Sequence, residues 1–218
     1  MTVHFLRDLE QLKKELLTVG SMVENSVNNA IAALVNRRPE LATDVIRTDD
    51  LIDDKELEVE EQCLKVLALH QPVAADLRFV VAVLKVNSDL ERMGDYAVHI
   101  AERAEYLSSG PVLNIPTDYF NEMVTRVQVM VRKVLDALIN RDSEEAREVV
   151  KMDDEVDELH WRFFDIVMNL ARDDPSSVER AFHTLSASRH LEKIGDLATN
   201  IAEDIVFMVE GEVIRHRD

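Results

Sequence analysis

One segment of this chain is written twice. LERMGDYAVHIAE at 90–102 and LEKIGDLATNIAE at 191–203 agree at eight of thirteen positions, 101 residues apart. Upstream, Ala33-Leu34-Val35-Asn36-Arg37 is matched by Ala137-Leu138-Ile139-Asn140-Arg141, and Asp49-Asp50 by Asp153-Asp154, 104 residues apart. The fold must therefore be built from two copies of one unit. That unit is helical, because nearly every stretch between breakers carries apolar residues at three- and four-residue spacing. Gly and Pro number only five each and aromatics make up 5%, too few for the frequent turns of a sandwich or barrel.

Pro39, Pro72, Pro111, Pro116 and Pro175 separate the periodic segments, and Asp142 with Glu145 three residues on marks a further helix start. The spacing predicts six helices, over 3–36, 39–70, 74–108, 117–140, 143–171 and 176–210. The third has the cleanest pattern: Val83, Val86, Leu90, Met93, Ala97, Ile100 and Ala104 keep a heptad seam, as antiparallel bundle helices do. SSGPVLNIP at 108–116 is the turn-rich connection that divides the helices three and three. The expected fold is all-α, with two tandem, related three-helix bundles over 1–108 and 117–218 joined by a linker at 109–116.

Composition narrows the setting. With 25 Lys and Arg against 43 Asp and Glu, the net charge of −18 would repel a nucleic-acid backbone. Cys63 is the sole cysteine, so a disulfide framework and a cysteine zinc site are both excluded. The opening MTVHFLRDLEQ is charged and amphipathic and lacks the apolar core of an export signal. The longest apolar run, Phe79 to Leu84, is far short of the roughly 20 residues that cross a bilayer. A cytoplasmic protein is expected, reaching a membrane only through partners.

The acidic residues are the chemical signal. Glu91 with Asp95 and Glu192 with Asp196 lie four apart on the third helix of each repeat, and Asp49 with Asp53 and Asp153 with Asp157 do so on the second. Like charges at this spacing share a helix face and destabilise a lone helix by a few tenths of a kcal/mol. Second and third helices run antiparallel from a short turn, so residues equally far from it lie level. Asp49 and Asp95 are each 23 residues from Pro72, and Asp53 and Glu91 are each 19 from it. In the second repeat, Asp153 with Asp196 and Asp157 with Glu192 both centre between Asp174 and Pro175. At about 1.5 Å per residue, each quartet converges roughly 30 Å from its turn.

Four adjacent carboxylates cannot all ionise near neutral pH without cations or bound protons. All-oxygen ligation suits hard ions such as Mg²⁺, Mn²⁺, Ca²⁺ or Fe³⁺. One such pair alone would read as a solvated helix face; two level-matched, duplicated quartets point to metal. Gly94 and Gly195 sit mid-helix beside the quartets, at about 1 kcal/mol relative to alanine, either for close helix approach or as a small-residue packing contact. Glu102 and Glu203, seven residues beyond Asp95 and Asp196, are outer candidates that read more simply as solvated.

Other residues carry less. His99 follows Asp95 by four, but its repeat counterpart is Asn200, which argues against ligation. His70, His160, His183 and His190 form no ligand-spaced pair, and Cys63 reads as a core hydrophobe. Trp161, Phe163 and Phe164 read as packing, with an exposed subset available to a partner. A ferritin-like carboxylate di-metal oxidase also lives in helical bundles, but it needs a His three residues after a Glu, and no such pair occurs.

The motifs Glu91-Arg92-Met93-Gly94-Asp95 and Glu192-Lys193-Ile194-Gly195-Asp196, with QPVAADLR at 71–78, closely resemble those of the PhoU family over the whole chain. The resemblance implies two three-helix bundles, multinuclear metal clusters (Fe, Mn, Mg or Zn) at the acidic motifs, and a homodimer. It also implies a non-enzymatic role: restraining the phosphate-starvation response between the ATPase subunit of the phosphate ABC importer and a PhoR-type sensor histidine kinase. Carried over by position, the ligands would be Asp49, Asp53, Glu91, Asp95, Asp153, Asp157, Glu192 and Asp196, the residues that the height argument selects.

Overall fold

The computed structural model describes residues 3–214; the outermost positions of the two expected repeats, 1–2 and 215–218, lie outside the described residues. The first repeat comprises α1 (Val3–Val35), α2 (Pro39–Thr48), α3 (Asp50–His70) and α4 (Ala74–Ser108). The second comprises α5 (Asp118–Asn140), α6 (Ser143–Val150), α7 (Asp153–Asp173), a 3-10 turn at Pro175–Ser177, and α8 (Val178–Glu210). No β-strand occurs among the described residues. The six expected rods are present, with one correction: the second rod of each repeat is interrupted, at Asp49 and at Lys151-Met152, where continuous helices over 39–70 and 143–171 were expected.

The interruptions fall where no Pro or Gly stands, and each is a single tightened turn. The Thr48 hydroxyl donates to the carbonyls of Asp44, at 2.9 Å, and Val45, at 3.3 Å, a bond that Thr18, Thr125 and Thr184 also make inside unbroken helices. Asp49 keeps helical dihedrals, and its carbonyl accepts from Ile52 N at 2.7 Å, a tightened turn that starts α3. In the second repeat Lys151 and Met152 share a ψ of −15°, and Met152 N donates to Val149 O at 3.0 Å. Each break converts a mid-helix run of acids into a first-turn run: Asp50 and Asp53 on α3; Asp153, Asp154 and Glu155 on α7. Negative charge is favoured there by the helix dipole, worth about 0.3–1 kcal/mol for each exposed group.

Duplication also fixes the first-rod ends. Arg37 and Arg141 occupy equivalent positions with φ of 54° and 53°, and the next residue's N–H closes back on Ala33 O and Ala137 O at 2.9 Å in both. A non-glycine residue in that conformation costs about 1–2 kcal/mol, offset here by what the side chains reach. Arg37 donates to the Ser108 and Gly110 carbonyls at 3.0 and 2.5 Å, and Arg141 lies over the Phe79 ring at 4.9 Å. Asp142 caps α6 by accepting from the Glu144 and Glu145 amides at 3.0 Å, while its own N–H is used by Ala137 O.

The seven heptad residues of α4 are all buried, Leu90 fully so, and Leu90→Ala would cost about 2–5 kcal/mol. The broadest helix contact is between α4 and α8, with α1 to α3 flanking α4 and α5 to α7 flanking α8. The central pair is antiparallel: Lys85 donates to Asp204 at 2.7 Å, the His99 and His190 rings stack at 5.0 Å, and Arg103 meets His183 at 3.2 Å. The two three-helix units thus share one apolar core that runs from α1 to α8.

Candidate metal centres

The α2–α3 and α6–α7 breaks set each acidic pair of the second rod opposite the pair on α4 or α8. In the first repeat a Cβ on Gly94 would lie 3.4 Å from Ile52 Cδ1 and 3.7 Å from Asp49 Oδ1. These are ordinary van der Waals distances, so α4 packs on α3 at the height of Asp49 with room for a methyl group. At Gly195 α8 packs on α7 in the same way, where a Cβ would meet Val156 at 3.5 Å. The packing-contact reading of the glycines holds, while close helix approach does not require them, since a Cβ at either would make ordinary contacts.

The first-repeat carboxylates press on one another. Glu91 is pushed up to about 7, by burial first and then by Asp95, Asp53, Glu56 and Asp49. Asp49 is raised to about 6, by burial and then by Asp53 and Asp95. Asp53 is raised by burial and by Asp95. Asp49 Oδ1 is buried with no hydrogen-bond partner. No Lys or Arg among the described residues reaches ion-pair distance of Asp49, Asp53, Glu91 or Asp95.

The second-repeat group closes more tightly. Oxygens of Asp157, Glu192 and Asp196 lie within 4.8 Å of one another, whereas no first-repeat trio comes so close among the described residues. Asp153 stands beside them, raised to about 6 by burial and then Asp196, and it accepts from Thr199 Oγ1 at 3.2 Å. Glu192 is buried and pushed up to about 7, by burial first and then Asp196. Its Oε2 is buried without a partner, while its Oε1 accepts from Arg189 at 2.8 Å and faces Lys193 at 3.4 Å. Lys193 also donates to Asp196.

Each repeat thus carries a buried carboxylate oxygen with no partner, Asp49 Oδ1 and Glu192 Oε2, which either a bound proton or a cation would satisfy; left unmet, such an atom costs about 1–3 kcal/mol and more when charged. The donor set is all oxygen, which fits Mg²⁺, Mn²⁺ or Fe³⁺ in preference to a soft metal. Of the eight sequence-selected acids, Asp157, Glu192 and Asp196 are the ones whose oxygens already stand close enough together to share an ion among the described residues.

Sequence reasoning passed over three contributors. Glu56 lies one turn below Asp53; it is raised by burial, and Asn87 Nδ2 donates to its Oε1 at 3.0 Å. Its second-repeat counterpart, 104 residues on, is His160, and that of Asn87, 101 residues on, is Ser188; those two pair at 2.8 Å through Nδ1 and Oγ. The height rule places Glu56 and Asn87 level, 16 and 15 residues from Pro72, but a search for repeated carboxylates is blind to a Glu replaced by His. Arg189 and Lys193 were missed because their counterparts are Ser88 and Arg92, and Arg92 turns to Asp89 at 3.6 Å.

The remaining candidates resolve plainly. The half-buried His99 lies near enough to Asp49 to draw its pKa down, but its ring stacks with that of His190 and lies tilted against that of Tyr96. Glu102 is exposed and pairs with Arg103 at 3.2 Å. Cys63 is fully buried, its thiol pushed up to about 12 by burial, and serves as a core hydrophobe. Of the aromatic group Phe163 is core, while Trp161 is 59% exposed.

A duplicated six-rod helical protein with an acidic centre in each half defines the class. A model of the PhoU domain matches residues 16–104 and 120–205, one copy in each repeat. The chain therefore belongs to the PhoU family. It is 36% identical to the phosphate-specific transport system accessory protein PhoU homolog of Clostridium acetobutylicum, over 98% of both chains. It is 38% identical to the homolog of that name in Aquifex aeolicus, over 97% of this chain and 95% of the relative. The crystal structure of PhoU from Pseudomonas aeruginosa superposes with a TM-score of 0.93 at 35% identity, covering 95% of this chain and all of that one. The phosphate transport system regulatory protein PhoU from Streptococcus pneumoniae superposes at 0.89 with 27% identity, over 96% of this chain and 99% of that one.

Proposed function

We propose that this chain is a metal-binding helical adaptor that restrains phosphate uptake and the phosphate-starvation response when phosphate is plentiful. It would do so without turnover, through contact with the ATPase subunit of a phosphate ABC importer and with a PhoR-type sensor histidine kinase. The observation that carries the reading is the match to PhoU relatives over the whole chain, relatives whose names tie them to the phosphate-specific transport system. The duplicated acidic centres support the metal part, since each offers a buried oxygen with no partner. A cation there would offset the mutual repulsion that raises Asp49, Glu91, Asp153 and Glu192 and would fix the second rod against the third. The working form is a homodimer in the cytoplasm, held at the inner face of the membrane by its partners. No described helix is long and apolar enough to cross that membrane. An oxidase reading gains nothing from the site, which has no His three residues after a Glu, the pair that chemistry needs.

Deletion of the gene should derepress alkaline phosphatase at high phosphate, and purified protein should retain the kinase's cytoplasmic region or the importer ATPase in a pull-down. Unchanged phosphatase in the deletion strain together with binding to neither partner would remove the adaptor role.

A further inference from the structure

The two centres share a backbone and differ in charge. At the first, Glu56 adds a fifth carboxylate to Asp49, Asp53, Glu91 and Asp95, and no Lys or Arg among the described residues reaches the quartet. At the second, His160 stands in the place of Glu56, leaving four carboxylates, and two cations touch them. Arg189 holds Glu192 Oε1 at 2.8 Å, and Lys193 bridges Glu192 and Asp196. Two of the three clustered ligand residues are thus already engaged, and only Glu192 Oε2 is left unpartnered and buried.

Resting on the metal reading above, we infer that the centres form two affinity classes. The first is the tight site. The second is weaker because Arg189 and Lys193 are resident counter-cations that an incoming metal ion must displace. Two positive charges at contact distance oppose a third cation, and the freed guanidinium and ammonium must then be solvated. Displacement remains open to both, because the Arg189 side chain is 51% exposed and each long stem can carry its charge into water. The asymmetry is written in the sequence: the counterpart of Arg189 is Ser88, which carries no charge, and that of Lys193 is Arg92, which faces Asp89. Metal supply would therefore be read at the second centre, after the first has filled.

Equilibrium dialysis against Mn²⁺, with free ion measured by EPR, tests this on the full chain. Wild type should show two classes separated by at least about tenfold, equivalent to about 1.4 kcal/mol. Asp49→Asn with Asp95→Asn should abolish the tight class. Arg189→Ser with Lys193→Gln should strengthen the weak class by about tenfold, with helical circular dichroism unchanged. Should that variant fail to fold, Ser88→Arg serves instead: it sets an arginine three residues before Glu91 on an exposed position and should weaken the tight class. A single affinity class that neither change moves, or a tight class lost on altering Asp157 and Asp196, would overturn the inference and leave metal binding standing. No Mn²⁺ bound by wild type at all would overturn the metal reading itself and this inference with it.

Discussion

Glu91 and Glu192 stand at the same place in their repeats and reach the same pKa, about 7, by different balances. Around Glu91 burial and four other carboxylates all push upward. Around Glu192 burial and Asp196 push upward while Lys193 and Arg189 pull back. Duplication has preserved the main chain: the left-handed arginines that end the first rods, the breaks before Asp50 and Asp153, and the mid-helix glycines that face the second rod. It has not preserved the charges around the site. A repeated backbone therefore carries two acidic groups with different charge surroundings.

The largest effect expected from that comparison is the response of stability to metal. A ligand that binds only the folded state at a hundredfold excess over its Kd adds about 2.7 kcal/mol for each site, or roughly 5–10 °C for a chain of this size. Wild type should melt that much higher in Mn²⁺ than in chelator. Asp95→Asn with Asp196→Asn should lose most of the difference, whatever the absolute melting temperature does once repelling charges are removed. Calorimetric scans of both proteins in both buffers decide it, and an undiminished shift in the double variant would move the sites elsewhere.

Next comes pH in the metal-free protein. Asp49 and Asp153 rise from 3.8 to about 6, and Glu91 and Glu192 from 4.5 to about 7. A carboxyl whose folded-state pKa exceeds its unfolded value binds its proton more tightly in the folded state. The folded form is thus favoured at low pH, and that advantage is lost as pH rises through the folded pKa values. Stability in chelator should fall between about pH 4 and 7 by roughly 3 kcal/mol in total, after discounting for solvent screening. Denaturant midpoints across that range should decline in chelator and flatten in Mn²⁺; a rise with pH in chelator would contradict the electrostatics of both centres.

Much of this was legible in the sequence and some was not, for physical reasons. The α4 heptad, the six rods and the level quartets follow from period and counting, because rods joined by a short turn leave little freedom in height. The breaks at Asp49 and Lys151-Met152 were hidden, since no Pro or Gly stands at either and a single tightened turn leaves the apolar period intact. The α4–α8 seam was hidden as well: nothing in one repeat states which helix will meet its copy. Glu56, Arg189 and Lys193 escaped because repetition was the guide to the site, and these are the positions at which the repeats part.

The smallest effect separates the glycines. Alanine at a mid-helix glycine gains up to about 1 kcal/mol in helix propensity. At Gly195 the nearest atom to the new Cβ is 3.5 Å away, so Gly195→Ala should stabilise in urea melts. At Gly94 the 3.4 Å contact with Ile52 and the nearby Asp49 oxygen should cancel part of that gain. A larger gain at Gly94 than at Gly195 would reverse the inferred tightness of the two approaches.

The central claim is that the duplicated quartets are metal centres, and anomalous diffraction from crystals grown with Mn²⁺ tests it most directly. The account predicts peaks among Asp49, Asp53, Glu91 and Asp95 at low Mn²⁺, joined at higher Mn²⁺ by peaks among Asp153, Asp157, Glu192 and Asp196 with Lys193 turned away. Well-ordered crystals with no anomalous density at either quartet, and Lys193 still on Asp196 at saturating Mn²⁺, would contradict it.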